Sequence, residues 1–405
     1  MRNIVILNRF PLEAITYYKW VDTECNIYLF SKEQPYPGIF NYKEVHFYSD
    51  YDKSEKVILD IIELSKKVKI DEIVGLSEKD VLRAGKLRSF LGINGLDANQ
   101  SWQFRDKVAM KDALSIAEIP VADYKAVYDV TDILSFAEKN DHKIVIKPRR
   151  DAGSRGVTVI STKSELENYL LDVAHYLSPN NGSNLMVESF IEGELYHVDG
   201  IYHENQLISS FVSKYITSCL DFKDSKPLMS LLVDETDRFK EQIREVTEHC
   251  LNTLSKNSTC LFHAEVFVDK EGQIFLNEIA CRIGGAKIYS TIKNIGEYDL
   301  ISEYLGILSG LKYRKSTNKP KVIGGWVLVP PKKGVIKKLA KMPHYDWLLE
   351  HEINAVINQE LGNAASSVDK LFNAIIKGEN TEQVKNRLDY ITEYFYNNTE
   401  ISEVN

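Results

Sequence analysis

The sequence predicts a protein of mixed α/β and α+β class, with a parallel α/β domain at its N-terminus. Short apolar runs that are typical of buried strands alternate with helical patterns, the runs at residues 4–7, 26–30, 44–47 and 71–76 and the helices at 54–67 and 78–91. Such alternation is typical of a small parallel sheet covered by helices. The 405 residues exceed what one hydrophobic core accommodates, so we expect two or three domains.

The composition of the chain indicates which partners and which cellular compartment to expect. The chain has 50 Lys and Arg against 58 Asp and Glu, a net charge of −8, and no long basic run, so nucleic acid is not an expected partner. The five cysteines are scattered and form no CxxC motif, which favours a reducing compartment over a disulfide framework or zinc site. The first apolar run is too short for a signal peptide or a membrane span. We therefore expect a cytoplasmic protein with no membrane partner.

Domain boundaries follow from where these patterns change. We expect the N-terminal domain at residues 1–104 and a central region at 105–311 that divides near residue 184. A helix is predicted at 102–117, where the central region begins. A polar stretch from Lys312 leads into a small C-terminal α+β lobe, residues 312–405.

The central region contains a predicted β-hairpin. Two strand patterns, residues 261–268 and 273–280, flank a turn-rich tetrad at 269–272. The simplest pairing across this tetrad places Val268 opposite Gln273.

In that register the hairpin gathers acidic residues on one face. Glu278 lies opposite His263 and Glu265 lies opposite Leu276, so that Glu265 and Glu278 are diagonal neighbours, roughly 7–8 Å apart. Two carboxylates this close repel each other unless a cation lies between them. A half-exposed hairpin with solvated acids explains the pattern equally well, and His263 is a structural histidine under that alternative.

Residues after the hairpin and at one strand end are candidates for substrate contacts. Arg282 follows Glu278 by four residues, and Gly284 and Gly285 allow the backbone to approach a ligand closely. Glu78 follows a predicted strand, where open α/β sheets bind ligands. The alternative for Glu78 is an acid that interacts with the dipole of the following helix.

A small-residue loop follows the strand that ends at Lys147 and Pro148. Its residues Gly153, Ser154 and Gly156 can wrap phosphates with backbone N–H groups while Lys147 supplies positive charge. The loop is not a Walker motif, which requires GK[ST] before a helix. A simple hairpin turn remains the alternative.

Taken together, these segments resemble the ATP-grasp superfamily. The resembling segments are FRDKVAMKDAL, VIKPRRDAGSRGV, VESFIEGELYHVDG and LFHAEVFVDKEGQIFLNEIACRIGG, in chain order. The resemblance implies the ATP-grasp fold, preceded by a Rossmann-like α/β domain and followed by the small lobe. It implies ATP as a cofactor, with phosphates bound by Lys107, Lys147 and the loop containing Gly153, Ser154 and Gly156.

The same resemblance assigns the remaining site residues. Adenine lies on the strand and hinge containing Glu188, Phe190 and Ile191, and Glu194 or His197 contacts the ribose. The metal, Mg²⁺ or alternatively Mn²⁺, is held by two carboxylates, and the catalytic pair and substrate contacts come from the residues already singled out. These roles are: metal ligands Glu265 and Glu278; catalytic Arg282 and Lys147; substrate contacts His263, Arg282, Gly284, Gly285 and Glu78.

Two positions depart from the family pattern. Leu195 stands where the family usually has a ribose-binding Glu, and Ala280 stands where it usually has an amide ligand to the metal. The EIAxRxGG form at Glu278–Gly285 most resembles the bacterial L-amino-acid ligases.

The implied reaction is the ATP-dependent joining of an amino acid carboxylate to an amine. An acylphosphate forms and the amine captures it, with release of ADP and phosphate. Two alternatives stay open: loading of an amino acid onto a carrier-protein thiol, and a nucleotide-binding module with weakened chemistry. The expected partners are an amino acid or other carboxylate, an amine acceptor, a carrier protein under the first alternative, and a second copy of the chain as a homodimer.

Overall fold

A computed structural model describes residues 1–34, 41–174, 177, 184–313, 322–364 and 369–402. Most of the polar stretch predicted to begin the C-terminal lobe, residues 314–321, lies outside these ranges. So do residues 178–183, beside the predicted division of the central region.

The N-terminal part forms a four-stranded parallel sheet in the order β3-β2-β1-β4, with one α-helix before β4 and one after it. The apolar runs at 4–7 and 27–30 are buried, as the sequence predicts for a parallel sheet covered by helices, whereas the run at 44–47, in the edge strand, leaves Glu44 and Phe47 exposed. The elements are β1 (Arg2–Asn8), β2 (Cys25–Ser31), β3 (Glu44–Phe47), α1 (Lys56–Ser65), β4 (Glu72–Gly75) and α2 (Val81–Leu91).

The single helix predicted at 102–117 is wrong, because two helices occupy this segment. They are α3 (Ala98–Gln103) and α4 (Lys107–Ile116). The break lies at Asp106, which has extended backbone angles and accepts hydrogen bonds from the N–H groups of Val108 and Ala109 at 3.1 Å. A short acidic side chain that caps a helix in this way starts a new helix. Lys107 therefore begins α4.

A second, antiparallel four-stranded sheet has the order β5-β8-β6-β7. It packs its apolar face against two helices around a small core of its own. The elements are β5 (Tyr124–Ala126), α5 (Val130–Lys139), β6 (Ile144–Pro148), β7 (Thr158–Ile160), α6 (Lys163–Val173) and β8 (Leu185–Ser189).

A third sheet of eight antiparallel strands contains the predicted hairpin at one edge, in the order β13-β12-β9-β10-β11-β14-β18-β16. The strands in the first part of this sheet and the helices between and after them are β9 (Gly193–His203), β10 (Gln206–Tyr215), β11 (Leu228–Leu232), α7 (Lys240–Leu254), β12 (Thr259–Asp269), β13 (Ile274–Ala280), α8 (Ile288–Gly296) and α9 (Leu300–Ser309).

The C-terminal residues extend this sheet and add a small one. Strand β14 pairs with β11 and β18, so residues after 322 share a sheet with the hairpin. The elements are β14 (Ile323–Val329), β15 (Gly334–Lys338), β16 (Leu348–Ile353), β17 (Glu360–Leu361), β18 (Phe372–Gly378), α10 (Thr381–Asn398) and β19 (Glu400–Ser402), of which β17, β15 and β19 form the small sheet. No helix among the described residues is long and apolar enough to cross a membrane.

Candidate active site

A cavity of about 830 Å³ lies between the second sheet and the large sheet. Strands β6 and β8 and the loop after β6 contribute to one wall, and β12 and β13 contribute to the other. A cleft of this size between two sheets is large enough for a nucleotide-sized ligand.

Two carboxylates face each other in one wall of this cavity. Glu265 of β12 is paired directly with Glu278 of β13, and both line the cavity. The predicted register, with Glu265 opposite Leu276 and Glu278 opposite His263, is wrong. The strands begin pairing one residue later, at Val268 and Ile274, and a bulge follows between Glu265 and Val266. These two changes bring the carboxylates opposite each other instead of diagonal.

The extra residue of the bulge is Asn277, which the sequence analysis missed. Its Oδ1 accepts a hydrogen bond from Lys147 Nζ at 3.0 Å, and its Nδ2 donates to Glu265 Oε2 at 3.1 Å. An amide that bulges toward the acidic face thus joins the lysine to the carboxylate. The sequence signal was a polar residue next to Glu278 inside an apolar strand.

Lys107 neutralises one of the two carboxylates. Its Nζ lies 2.8 Å from Glu278 Oε2 and donates to the backbone oxygen of Asp151 at 2.8 Å. Burial by itself would raise the pKa of Glu278, but the charges of Lys107 and Lys147 outweigh burial and lower the pKa to about 2. Glu278 is therefore ionised throughout the physiological range.

Lys147 is held by a second buried acid. Its Nζ lies 2.6 Å from Glu188 Oε1, and Lys111 Nζ lies 3.3 Å from Glu188 Oε2. Burial favours the neutral acid, yet the two lysines dominate and lower the pKa of Glu188. Each phosphate-binding candidate, Lys107 and Lys147, thus has a carboxylate partner within the cavity walls.

One part of the cavity combines a small-residue loop with apolar side chains. Gly153 and Ser154 line it and have positive φ of 69° and 55°. Phe190, Ile191 and Leu195 line it as well. A Cβ on Gly156 would approach Pro148 Cγ to 2.8 Å, and Gly156 is not among the described residues that line the cavity. Its place is in the turn of the loop.

The two ribose candidates lie in different places. Glu194 lines the cavity and pairs with Lys214 at 2.5 Å. His197 is 1% exposed, is not among the described lining residues, and bonds to Asp199 and Ser230 instead. His197 is paired with Glu265 and lies on the same face of the sheet, but its ring is buried and both of its nitrogens are engaged by Asp199 and Ser230. The structure therefore supports Glu194 and not His197 for this contact.

Arg282 lines the cavity beside the carboxylate pair and is bound from behind by Glu78. The Glu78 carboxylate accepts hydrogen bonds from Arg282 and from Arg105. Burial opposes the charge of Arg282, but Glu78 outweighs it and raises the pKa of Arg282. Glu78 is not among the described lining residues, so it orients Arg282 rather than facing the cavity directly.

The remaining substrate candidates also divide into residues that line the cavity and residues that do not. His263 and Gly285 line the cavity. Gly284 does not, among the described residues; a Cβ at Gly284 would lie 2.4 Å from Asp199 Oδ1, so glycine is required there for packing against Asp199.

The residues present fit a magnesium–nucleotide complex. Opposed Glu265 and Glu278 with the Asn277 amide offer the oxygen donors that Mg²⁺ prefers. The ammonium group of Lys107, which is itself a cation, lies 2.8 Å from Glu278. The two lysines and the loop offer charge and N–H groups for phosphates.

Comparisons with known proteins agree with this geometry. The ATP-grasp domain family model matches residues 141–290. An L-arginine-specific L-amino acid ligase of Bacillus subtilis is 25% identical over 98% of this chain and 97% of its own.

Solved structures give the same fold. An L-amino acid ligase from Bacillus licheniformis superposes with a TM-score of 0.74 at 13% identity, covering 100% of this chain and 99% of its own. A phosphoribosylglycinamide synthetase from Anaerococcus prevotii gives 0.67 at 15% identity, with 100% of both chains covered. The chain therefore has the ATP-grasp fold and is similar over almost its whole length to an L-amino acid ligase.

Proposed function

We propose that this protein joins the carboxylate of an amino acid to an amine, with ATP as the energy source and Mg²⁺ as the metal. The observation that carries the proposal is one cavity in which Glu265 and Glu278 face each other beside Lys107, Lys147 and Arg282. Two of the three relatives reported above are named as L-amino acid ligases, which supports an amino acid as acyl donor.

The binding of ATP uses the two lysines and the apolar slot. Phe190, Ile191 and Leu195 offer an apolar surface for adenine, and Glu194 lies beside them for the ribose. Lys107 and Lys147 exchange their carboxylate partners for phosphate oxygens as the nucleotide enters. Glu265 and Glu278 would hold Mg²⁺, which would supply positive charge to neutralise the triphosphate.

The reaction proceeds in two displacements. A carboxylate oxygen of the donor attacks the γ-phosphorus, the bond from that phosphorus to the β–γ bridging oxygen breaks, and ADP leaves. The amine then attacks the acyl carbon and the bond to the phosphate oxygen breaks, releasing phosphate. Arg282, held in place by Glu78, lies where it can stabilise the negative charge that develops on the acyl oxygen. Closure of the loop containing Gly153 and Ser154 would exclude water, which otherwise hydrolyses the acylphosphate.

A phosphate-release screen of amino acid pairs tests the proposal. We expect ADP and phosphate only with a productive donor and acceptor, together with an amide product detected by mass spectrometry. Parallel reactions with carrier proteins in place of the amine test loading of a thiol, and size-exclusion chromatography tests a homodimer. ATP binding without ADP formation in any pool of amino acids would contradict a ligase and favour a nucleotide-binding module.

A further inference from the structure

A chain of buried polar side chains runs across the large sheet and ends at Glu265. Its members are Ser230 of β11, His197 and Asp199 of β9, and His263 of β12. None of the four is more than 4% exposed. Buried polar groups at this depth are costly unless each has a partner, and here every one of them has.

The contacts follow one path. Ser230 Oγ lies 2.8 Å from His197 Nε2, and His197 Nδ1 lies 2.6 Å from Asp199 Oδ2. The second oxygen of Asp199 lies 2.9 Å from His263 Nδ1. The other ring nitrogen, His263 Nε2, then lies 3.6 Å from Glu265 Oε1 and faces the cavity.

Strand register explains why these residues meet. His263 is paired with Asp199, and Glu265 is paired with His197, across β12 and β9. Since residues two apart share a face, all four lie on the face that carries the carboxylate pair. The two histidines and Asp199 also have metal-ligating atoms within 4.8 Å of one another. Both oxygens of Asp199 and the Nδ1 of each histidine are already engaged in hydrogen bonds at 2.6 and 2.9 Å, so hydrogen bonding accounts for this cluster.

We propose that Asp199 is a positioning residue for the metal site: it fixes the His263 ring so that Nε2 faces Glu265, and His197 and Ser230 fix Asp199. Asp199 also contacts the position of Gly284, so the same carboxylate sets the path of the chain between Arg282 and α8. Partners behind a metal ligand hold it in the orientation that binds the ion. The inference rests on the proposed function, because it takes Glu265 as a ligand of Mg²⁺.

The test measures how much Mg²⁺ tightens ADP binding, by calorimetry with Mg²⁺ and with EDTA. We expect Asp199→Asn, which keeps the side-chain volume, to reduce the Mg²⁺-dependent gain in ADP affinity by about tenfold or more while binding in EDTA is unchanged. Ser209→Ala is the matched control, because Ser209 is a buried serine of the same sheet whose hydroxyl has no hydrogen-bond partner among the described residues. It should leave the gain unchanged.

The outcomes separate this inference from the proposed function. An Asp199→Asn protein with the parent's Mg²⁺-dependent gain overturns the positioning role, whatever its thermal stability. If that variant does not fold, Ser230→Ala, which removes only the outermost hydrogen bond, decides: we expect a loss on the order of twofold, and no loss overturns the inference. A parent protein that binds no ADP in either buffer contradicts the proposed function instead.

Discussion

Replacing Glu278 by Gln removes one of the two opposed carboxylates with almost no change in size. The Glu278 side chain is 20% exposed and lies 2.8 Å from Lys107 Nζ. Its pKa falls from 4.5 to about 2, burial being outweighed by Lys107 and Lys147, and that lowering corresponds to roughly 3 kcal/mol in favour of the charged form. We expect turnover to fall by about a thousandfold or more, since about 4 kcal/mol of transition-state stabilisation depends on this charge.

Phosphate release under saturating ATP and amino acids measures the effect, with thermal unfolding as the check on folding. Glu271→Gln is the matched control, because Glu271 belongs to the turn of the same hairpin and is exposed. It removes the same charge and should leave turnover within about twofold of the parent. A folded Glu278→Gln protein with turnover within tenfold of the parent would refute the metal-ligand role.

The same variant predicts a sign for the pH dependence of stability. A carboxyl whose folded pKa is depressed stabilises the fold above its unfolded pKa of 4.5, and this contribution is lost as pH falls toward about 2. We therefore expect the stability difference between parent and variant to be constant above pH 4.5 and to shrink below it. A difference that grows on acidification would contradict the ion pair with Lys107.

Three further changes test other contacts. Asn277→Ala removes the amide that joins Lys147 to Glu265, so we expect the KM for ATP to rise about tenfold in steady-state assays. An unchanged KM would contradict a role of Asn277 in holding Lys147. Glu78→Gln loosens Arg282, so we expect the KM for the amino acid donor to rise more than that for ATP; the reverse order would contradict the assignment of Arg282 to the acyl group. Burial outweighs the charge of Arg2 and raises the pKa of Glu72 to about 7. The free energy of unfolding of the parent should therefore fall by up to roughly 3 kcal/mol as pH rises from 4.5 to 7. In denaturant titrations, Glu72→Gln should flatten that fall.

The order of chemical groups along the chain was predictable from the sequence. Lys147, the small-residue loop and the hairpin acids carry local signals, namely charge next to apolar strands and glycines between them, whereas the role of Lys107 followed from the family resemblance. The ATP-grasp fold inferred from their order is confirmed. Nothing in these short segments required knowledge of contacts between distant strands.

The register of the hairpin could not be obtained that way. Gln273 N donates to Asp269 Oδ1 at 2.7 Å, which includes Gln273 in the turn and delays pairing to Ile274. The bulge at Asn277 then depends on Lys147, which lies on another sheet. A local contact in the turn sets the first feature and a contact between two sheets accompanies the second, and the alternating pattern within one strand contains neither.

The place of His197 was also not predictable from the sequence alone. The family resemblance gave His197 as the alternative to Glu194 for the ribose contact, but hydrogen bonds to Ser230 and Asp199 hold its ring in the interior of the sheet. The strands at Gln206–Tyr215 and Leu228–Leu232 were not predicted. Without these two strands, the predicted sheet had no interior in which a histidine could be buried.

The fate of the donor's carboxylate oxygen tests the central claim most directly. The donor amino acid is labelled with ¹⁸O in its carboxylate, and the released phosphate is analysed by mass spectrometry. Attack on the γ-phosphorus predicts one ¹⁸O transferred to phosphate for each amide formed, and none to ADP. Label in AMP, or phosphate free of ¹⁸O while amide accumulates, would contradict the acylphosphate route and the role assigned to this cavity.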